Sequence, residues 1–207
     1  MTSARSKWAV LAALFVALVL ADQWTKFLAV ERLTHAFASA PDGSLPERLR
    51  AFYAYEHLES VATEPYYVWR PVWRMNYVEN PGAAWGLFRS FSEGFRNTFF
   101  TVVSVAAVLF ILHHYRKLRE DQRFLQLALA FVLAGAVGNF IDRIARGYVI
   151  DFVEWYWWNR PDLRWPTFNV ADSLIVVGVA MLVLHPGAGR EKAGDGERGE
   201  KEEAGPA

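Results

Sequence analysis

Cysteine is absent from the 207 residues. That excludes a thiol nucleophile, thiolate metal ligands, disulfides and S-acylation. An excess of either charge is missing too. Lys+Arg and Asp+Glu are both 22, so no basic field of the kind that grips nucleic acid is present. The chain has no His-Glu-x-x-His and no Gly-x-Ser-x-Gly, the signatures of many zinc peptidases and serine hydrolases. Ser104 lies mid-run with no basic partner in its segment, and His113-His114 sits at a basic end far from the acids. No internal repeat is visible. Aspartic chemistry is the hydrolytic option that remains.

Apolar and aromatic residues are abundant, at 53 % and 15 %. Mean hydropathy is only +0.08, because a polar loop and a polar tail dilute long uncharged runs. Residues 97–115 and 124–141 carry no formal charge over 19 and 18 positions. Such runs approach the ~20 residues that cross a bilayer core. A third run starts at Trp8, is interrupted by Asp22 and Lys26, and resumes to Val30. Cut at Ala21 it would resemble a cleavable leader behind Arg5 and Lys7, but the apolar pattern resumes, so it is expected to stay as a span. A fourth run follows Asp172. The sequence therefore predicts four transmembrane helices, at about 8–30, 97–115, 124–141 and 168–185. Arg116, Lys117, Arg119 and Arg123 crowd one connector and mark the cytoplasmic side. Both termini are then cytoplasmic, with 31–96 and 143–167 outside.

The fold class expected is an all-α polytopic membrane protein with a small extracytoplasmic lobe, β-rich and with an amphipathic helix. Residues 1–185 form the membrane domain. The Gly/Glu/Lys-rich 186–207 is expected to be a disordered cytoplasmic tail. Within the loop 31–96, residues 46–59 read either as a helix on the membrane surface or as a packed helix of the lobe. Tyr66, Tyr67, Trp69, Trp73 and Tyr77 suggest extended structure at interface level.

Polar chemistry gathers at the outer ends of the runs, where ionisable residues are costly. Asp22 and Lys26, at i, i+4, share a helix face. Gly135, Asn139 and Asp142 form another stripe, and Ala134 with Gly138 allows close helix approach. The alternative for Asp142 and Arg143 is that they only mark the water boundary. Asp151 is the acid of an apolar strand-like segment, where a carboxyl holds its proton more tightly; the alternative is a solvated edge residue. Glu154 is its rival but would face the other side of a strand, and Glu154→Gln is expected to be nearly silent. Asn169 and Asp172 have capping-box spacing, and the alternative for Asp172 is a cap and nothing more. Two carboxylates that share one proton can activate water and protonate a leaving amine.

Five ordered blocks resemble the signature of the lipoprotein signal peptidase (signal peptidase II) family. They are Asp22-Gln-Trp-Thr-Lys26, Asn80-Pro-Gly-Ala-Ala-Trp-Gly86, Gly138-Asn-Phe-Ile-Asp-Arg143, Val149-Ile-Asp-Phe152 and Phe168-Asn-Val-Ala-Asp172. The resemblance implies a metal-free, cofactor-free aspartic endopeptidase of the bacterial inner membrane. It would remove signal peptides from diacylglyceryl-modified prolipoproteins, cutting before the lipidated Cys at the extracytoplasmic face, and would be blocked by globomycin-type inhibitors. The catalytic pair falls on Asp151 and Asp172. Asp22, Lys26, Asn80, Gly82, Asn139, Asp142, Arg143, Asn169 and Ala171 fall on supporting positions, with Arg143 near substrate. Membrane lipids are expected neighbours, nucleic acid is not, and a monomer is expected. The chain departs from the pattern in Ala134-Gly135-Ala136 and in a longer stretch from Asp22 to Asn80. A proton-coupled carrier would instead show inverted repeats and broken mid-span helices. A structural scaffold would give no reason for so many Asn, Asp and Gly at one membrane face.

Overall fold

The computed structural model describes residues 5–39, 43–54, 57–82, 87–88 and 90–185. The expected disordered tail and the Ala83–Gly86 part of the second block lie outside these residues.

Among the described residues, three helices are long and apolar enough to cross a membrane: α1 (Arg5–Leu33), α3 (Glu93–Lys117) and α4 (Arg123–Arg146). Each extends past its uncharged run, because a helix continues until something stops it. Gly147 stops α4, adopting φ 78° and donating its N–H back to the Arg143 carbonyl. The last carbonyls of α3 are met by Lys7, whose ammonium donates to Arg116 O at 3.1 Å and Leu118 O at 2.6 Å. The fourth expected span is helical as α5 (Val170–Val183), but it has 14 residues. At ~1.5 Å per residue that is shorter than a ~30 Å core.

The all-α expectation is too narrow. A four-stranded antiparallel sheet, ordered β1-β2-β3-β4, is built from Tyr66–Trp69, Trp73–Asn80, Val149–Trp157 and Arg160–Arg164. Trp73 faces Trp155 across β2 and β3, and Val78 faces Asp151. Asp151 thus lies in a central strand. The β3–β4 hairpin turns at Trp158 and Asn159, both at positive φ (37° and 61°), as tight two-residue loops require. A short helix, α2 (Leu45–Ala54), bears out helical structure within 46–59, and one of its side chains packs inward. Phe52 is buried and meets Phe27 of α1 edge-on at 5.6 Å.

Two apolar clusters hold the parts together. Leu11, Ile111, Tyr115, Leu129 and Leu133 join α1, α3 and α4. Phe27, Val30, Leu33, Phe52, Tyr77, Ile150 and Phe152 join the C-terminal end of α1 to α2 and the sheet. Helices α4 and α5 approach through glycines rather than through Ala134 alone. A Cβ on Gly135 of α4 would stand 2.4 Å from the Ala171 carbonyl of α5, and one on Gly178 of α5 would stand 2.7 Å from the Ala128 carbonyl of α4; one on Gly138 would stand 2.5 Å from Asp22 Oδ2 of α1. Gly138→Ala is therefore expected to cost about 1–3 kcal/mol by overpacking. The check is a lower thermal midpoint for the purified variant than for the parent chain.

Candidate active site

Four elements converge where α1, α4 and α5 meet β3. On α1, Asp22 and Lys26 form the i, i+4 pair read from the sequence, at 2.9 Å. Both are fully buried, so neither marks a water boundary. The Lys26 ammonium also reaches Asp142 Oδ2 at 2.9 Å and Asn139 Oδ1 at 3.0 Å, which joins α1 to α4. Asp22 Oδ1 accepts the Ala171 N–H at 2.9 Å. That N–H belongs to the first turn of α5, where backbone donors have no partner inside the helix.

Asp142 is a hub. It accepts from Lys26, from Gln23 Nε2 at 3.1 Å, from Arg146 Nη1 at 3.0 Å and from the Ile150 N–H at 3.2 Å. The last contact ties α4 to the residue before Asp151. Asp142 is fully buried, which removes the reading of it as a surface marker. Arg143, beside it, points elsewhere. Its guanidinium donates to Asn139 O (3.3 Å) and Gly82 O (3.2 Å) and lies 4.3 Å over the Phe100 ring.

Two asparagines stand between the two candidate acids. Asn169 Nδ2 donates to Asp151 Oδ1 at 2.7 Å, and Asn139 Nδ2 donates to Asp172 Oδ1 at 2.7 Å. Asn169 Nδ2 also donates to Asn139 Oδ1 at 3.1 Å, so the acids are linked through the amide pair. Asn80 Nδ2 takes the other oxygen of Asp151 at 2.9 Å, while Asn80 Oδ1 accepts the Gly82 N–H at 3.1 Å. The capping box expected at Asn169 and Asp172 is present: Asp172 N–H bonds Asn169 Oδ1 at 2.9 Å, and Asn169 N–H bonds Asp172 Oδ2 at 3.2 Å. Capping and a place in the site thus coexist in Asp172.

Asp151 is only 1 % exposed. Burial first, and the facing Asp172 carboxylate second, push its carboxyl up to about 8, against the pull of its bonds to Asn80 and Asn169. Asp151 is therefore set to hold its proton at neutrality.

Every supporting residue singled out in the sequence is in or beside this network. Glu154 needs revision. It does face away from Asp151, but it is fully buried and accepts from Arg74 Nη2 (2.5 Å), Arg74 Nε (3.0 Å) and Asn76 Nδ2 (3.0 Å). Glu154→Gln, expected to be nearly silent for cleavage, should then cost stability, because it leaves Arg74 in the sheet without its counter-charge. Sequence reading missed Gln23, Tyr53 and Arg146. Gln23 bridges Asp22, Asp142 and the Gly138 carbonyl, and accepts from Tyr53 OH at 3.2 Å. Arg146 stands at i+4 from Asp142, the same spacing that revealed Asp22 and Lys26. Among the described residues, no group of three or more His, Asp or Glu is arranged to hold a metal ion.

A family model described as signal peptidase (SPase) II matches residues 14–186. A lipoprotein signal peptidase of Anaeromyxobacter sp. (strain Fw109-5) is 71 % identical over 198 residues, covering 95 % of this chain and 94 % of that protein. One of Geobacter metallireducens is 46 % identical over 110 residues, covering 53 % of this chain and 65 % of its own. A solved bacterial membrane enzyme is 25 % identical with a TM-score of 0.59, covering 85 % of this chain and 86 % of that one.

Proposed function

The chain belongs to the signal peptidase II family of aspartic peptidases, which remove signal peptides from prolipoproteins, and from that membership we propose that Asp151 and Asp172 are its catalytic pair. The observation that carries this reading is the amide-linked pair of carboxyls, one with its proton held to about 8. Asp151 carries the shared proton and Asp172 the charge. A water between them attacks the scissile carbonyl and gives its proton to Asp172, while Asp151 protonates the carbonyl oxygen. The tetrahedral diol then collapses. Asp172 returns its proton to the leaving nitrogen, the C–N bond breaks, and Asp151 recovers a proton from the diol. Asn139 and Asn169 fix both carboxyls, Lys26, Asp22 and Asp142 fix the helices beneath them, and Arg143 stands beside the site toward substrate.

The substrate proposed is a prolipoprotein carrying diacylglycerol on the Cys after the scissile bond. Mass spectrometry of such a precursor, incubated with the protein, is expected to show loss of the signal peptide. The rate should fall as pH rises through about 8, where Asp151 gives up its proton. Stability has its own sign. The unfolded carboxyl ionises near pH ~4. Folding therefore takes up a proton between that value and about 8, and the Asp151 contribution to stability declines as pH rises across the window. Asp151→Asn should flatten that decline in thermal midpoint.

The reading places α5 as a fourth span in a bacterial inner membrane, with the connector after α3 and both termini cytoplasmic and the sheet outside. The basic cluster Arg116, Lys117, Arg119 and Arg123 supports it. Reporter fusions at Gly43 and Arg119 are expected to signal from opposite sides, with Arg119 cytoplasmic. A cytoplasmic signal from Gly43 would overturn this topology.

A further inference from the structure

The long stretch between Asp22 and Asn80 is not a free appendage. Its first end is sewn to α1: His35 N–H bonds Val61 O and Thr63 N–H bonds Leu33 O, both at 2.8 Å. Its middle grips the floor of the site. Arg146 donates Nη2 (2.9 Å) and Nε (3.2 Å) to the Phe52 carbonyl and lies 4.0 Å over the Phe52 ring, while its Nη1 holds Asp142. Tyr53 OH bonds Gln23, which touches both Asp22 and Asp142.

Its far end closes on β2 one residue before Asn80. Strand β1 pairs with β2 only from Trp73 to Met75, so the end of β2 has no strand on that side. Glu59 fills the place: its Oε1 accepts the Glu79 N–H at 3.1 Å. Glu79 answers with its own carboxylate. It is 8 % exposed and accepts the N–H of Leu58 and of Glu59 (3.2 Å), and His57 Nδ1 lies 3.2 Å from its second oxygen. The two glutamates thus form a reciprocal clasp. The next residue, Asn80, is the one that binds Asp151.

We propose that the Leu58–Glu59–Glu79 clasp is a positioning device for Asp151, acting through Asn80, and that the long loop exists in part to supply it. The proposal rests on Asp151 being catalytic. A loosened clasp lets Asn80 drift, and a misplaced catalytic group is costly even at fractions of an ångström. It also has a signature that mere scaffolding lacks. The bond from Asn80 favours the charged form of Asp151, so its loss should move the alkaline limb of the rate profile upward. The other charged groups acting on Asp151 are Asp172 on α5 and Lys26 on α1, with Arg143 of α4 also within electrostatic reach, and the clasp touches none of them.

The test uses the full-length protein in detergent and a synthetic diacylglyceryl precursor peptide. Glu59→Ala removes an exposed side chain and is expected to leave the fold intact, and Glu79→Leu, of similar size but without an acceptor for the Leu58 and Glu59 N–H groups, is the second variant. Each should lower kcat about tenfold with KM unchanged and shift the alkaline limb upward. Asn80→Ala should give the same shift, and Glu59→Ala should add nothing on the Asn80→Ala background. Thermal midpoints that fall while kcat and the limb stay at parent values would overturn the proposal, as would full additivity with Asn80→Ala. Asp151→Asn, run alongside, separates the two levels. If it cleaves normally, the catalytic assignment fails; if it is inactive and the clasp variants behave as the parent, only the clasp fails.

Discussion

Asp151→Asn and Asp172→Asn are each expected to abolish cleavage while the protein remains inserted in the membrane. An amide keeps the shape and can still hydrogen-bond, but it cannot hold or give up the shared proton. Positioned acid–base groups contribute about 10²–10⁴-fold each, roughly 3–5 kcal/mol of barrier at ~1.4 per factor of ten. The two variants should differ from a supporting one in stability. Asp151 must take up a proton on folding at neutrality, a cost that an amide does not carry, so Asp151→Asn should hold or raise the thermal midpoint. Asp142 meets four donors in a fully buried setting, and Asp142→Asn should lower midpoint and activity together. Unpartnered buried polar groups cost ~1–3 kcal/mol. Glu154→Gln should lower the midpoint through Arg74 while the folded fraction still cleaves. Retained activity in either Asp151→Asn or Asp172→Asn would mean the wrong acid was chosen. Equal loss of midpoint in Asp151→Asn and Asp142→Asn would remove the division between chemistry and frame.

The diacylglyceryl group on the substrate is expected to matter nearly as much. Asp151 and Asp172 stand at the junction of the sheet with α5, not in the middle of a helix. The sheet face that bears Asp151 continues, at period two, to Trp155 and Trp157, which are 55 % and 71 % exposed. Trp155 packs on Phe168 at 5.3 Å, at the mouth of α5. Exposed indoles of this kind belong at the bilayer interface. A lipid-anchored Cys would be held at that depth by its acyl chains. Burial of each methylene is worth ~0.8 kcal/mol, so four of them give about 3 kcal/mol and a factor of about 100 in kcat/KM. An unlipidated precursor compared in detergent at matched concentration should be cleaved more slowly by at least that order. Equal rates would mean recognition through peptide sequence alone, and the placement of the acids at the membrane edge would need another cause.

Local chemistry made much of this legible before any coordinates. Uncharged runs gave the three long helices, because a stretch that must satisfy its backbone without water becomes helical. The i, i+4 spacing of Asp22 and Lys26 gave their pairing, and the spacing of Asn169 and Asp172 gave the capping box, since both contacts depend only on helix geometry. The lone acid in Val149–Val153 and the acid opening the last apolar run marked Asp151 and Asp172, because such placements are costly unless something compensates.

Contacts between distant segments were beyond it. That Asp142 and Asp22 share Lys26 depends on how α1 crosses α4, and that crossing is set by Gly138, where a side chain would strike Asp22. That Glu154 is a buried partner of Arg74 depends on the register Arg74↔Glu154 between strands 80 residues apart. The role of the long outer loop was not legible, because its hold on Arg146, Gln23 and Glu79 runs through a backbone carbonyl, a phenol and two backbone N–H groups that no sequence spacing encodes. Period and charge fixed which residues are helical and which carboxyls are expensive. Only packing decided which of those carboxyls are neutralised by a lysine, which by an arginine, and which are left facing each other.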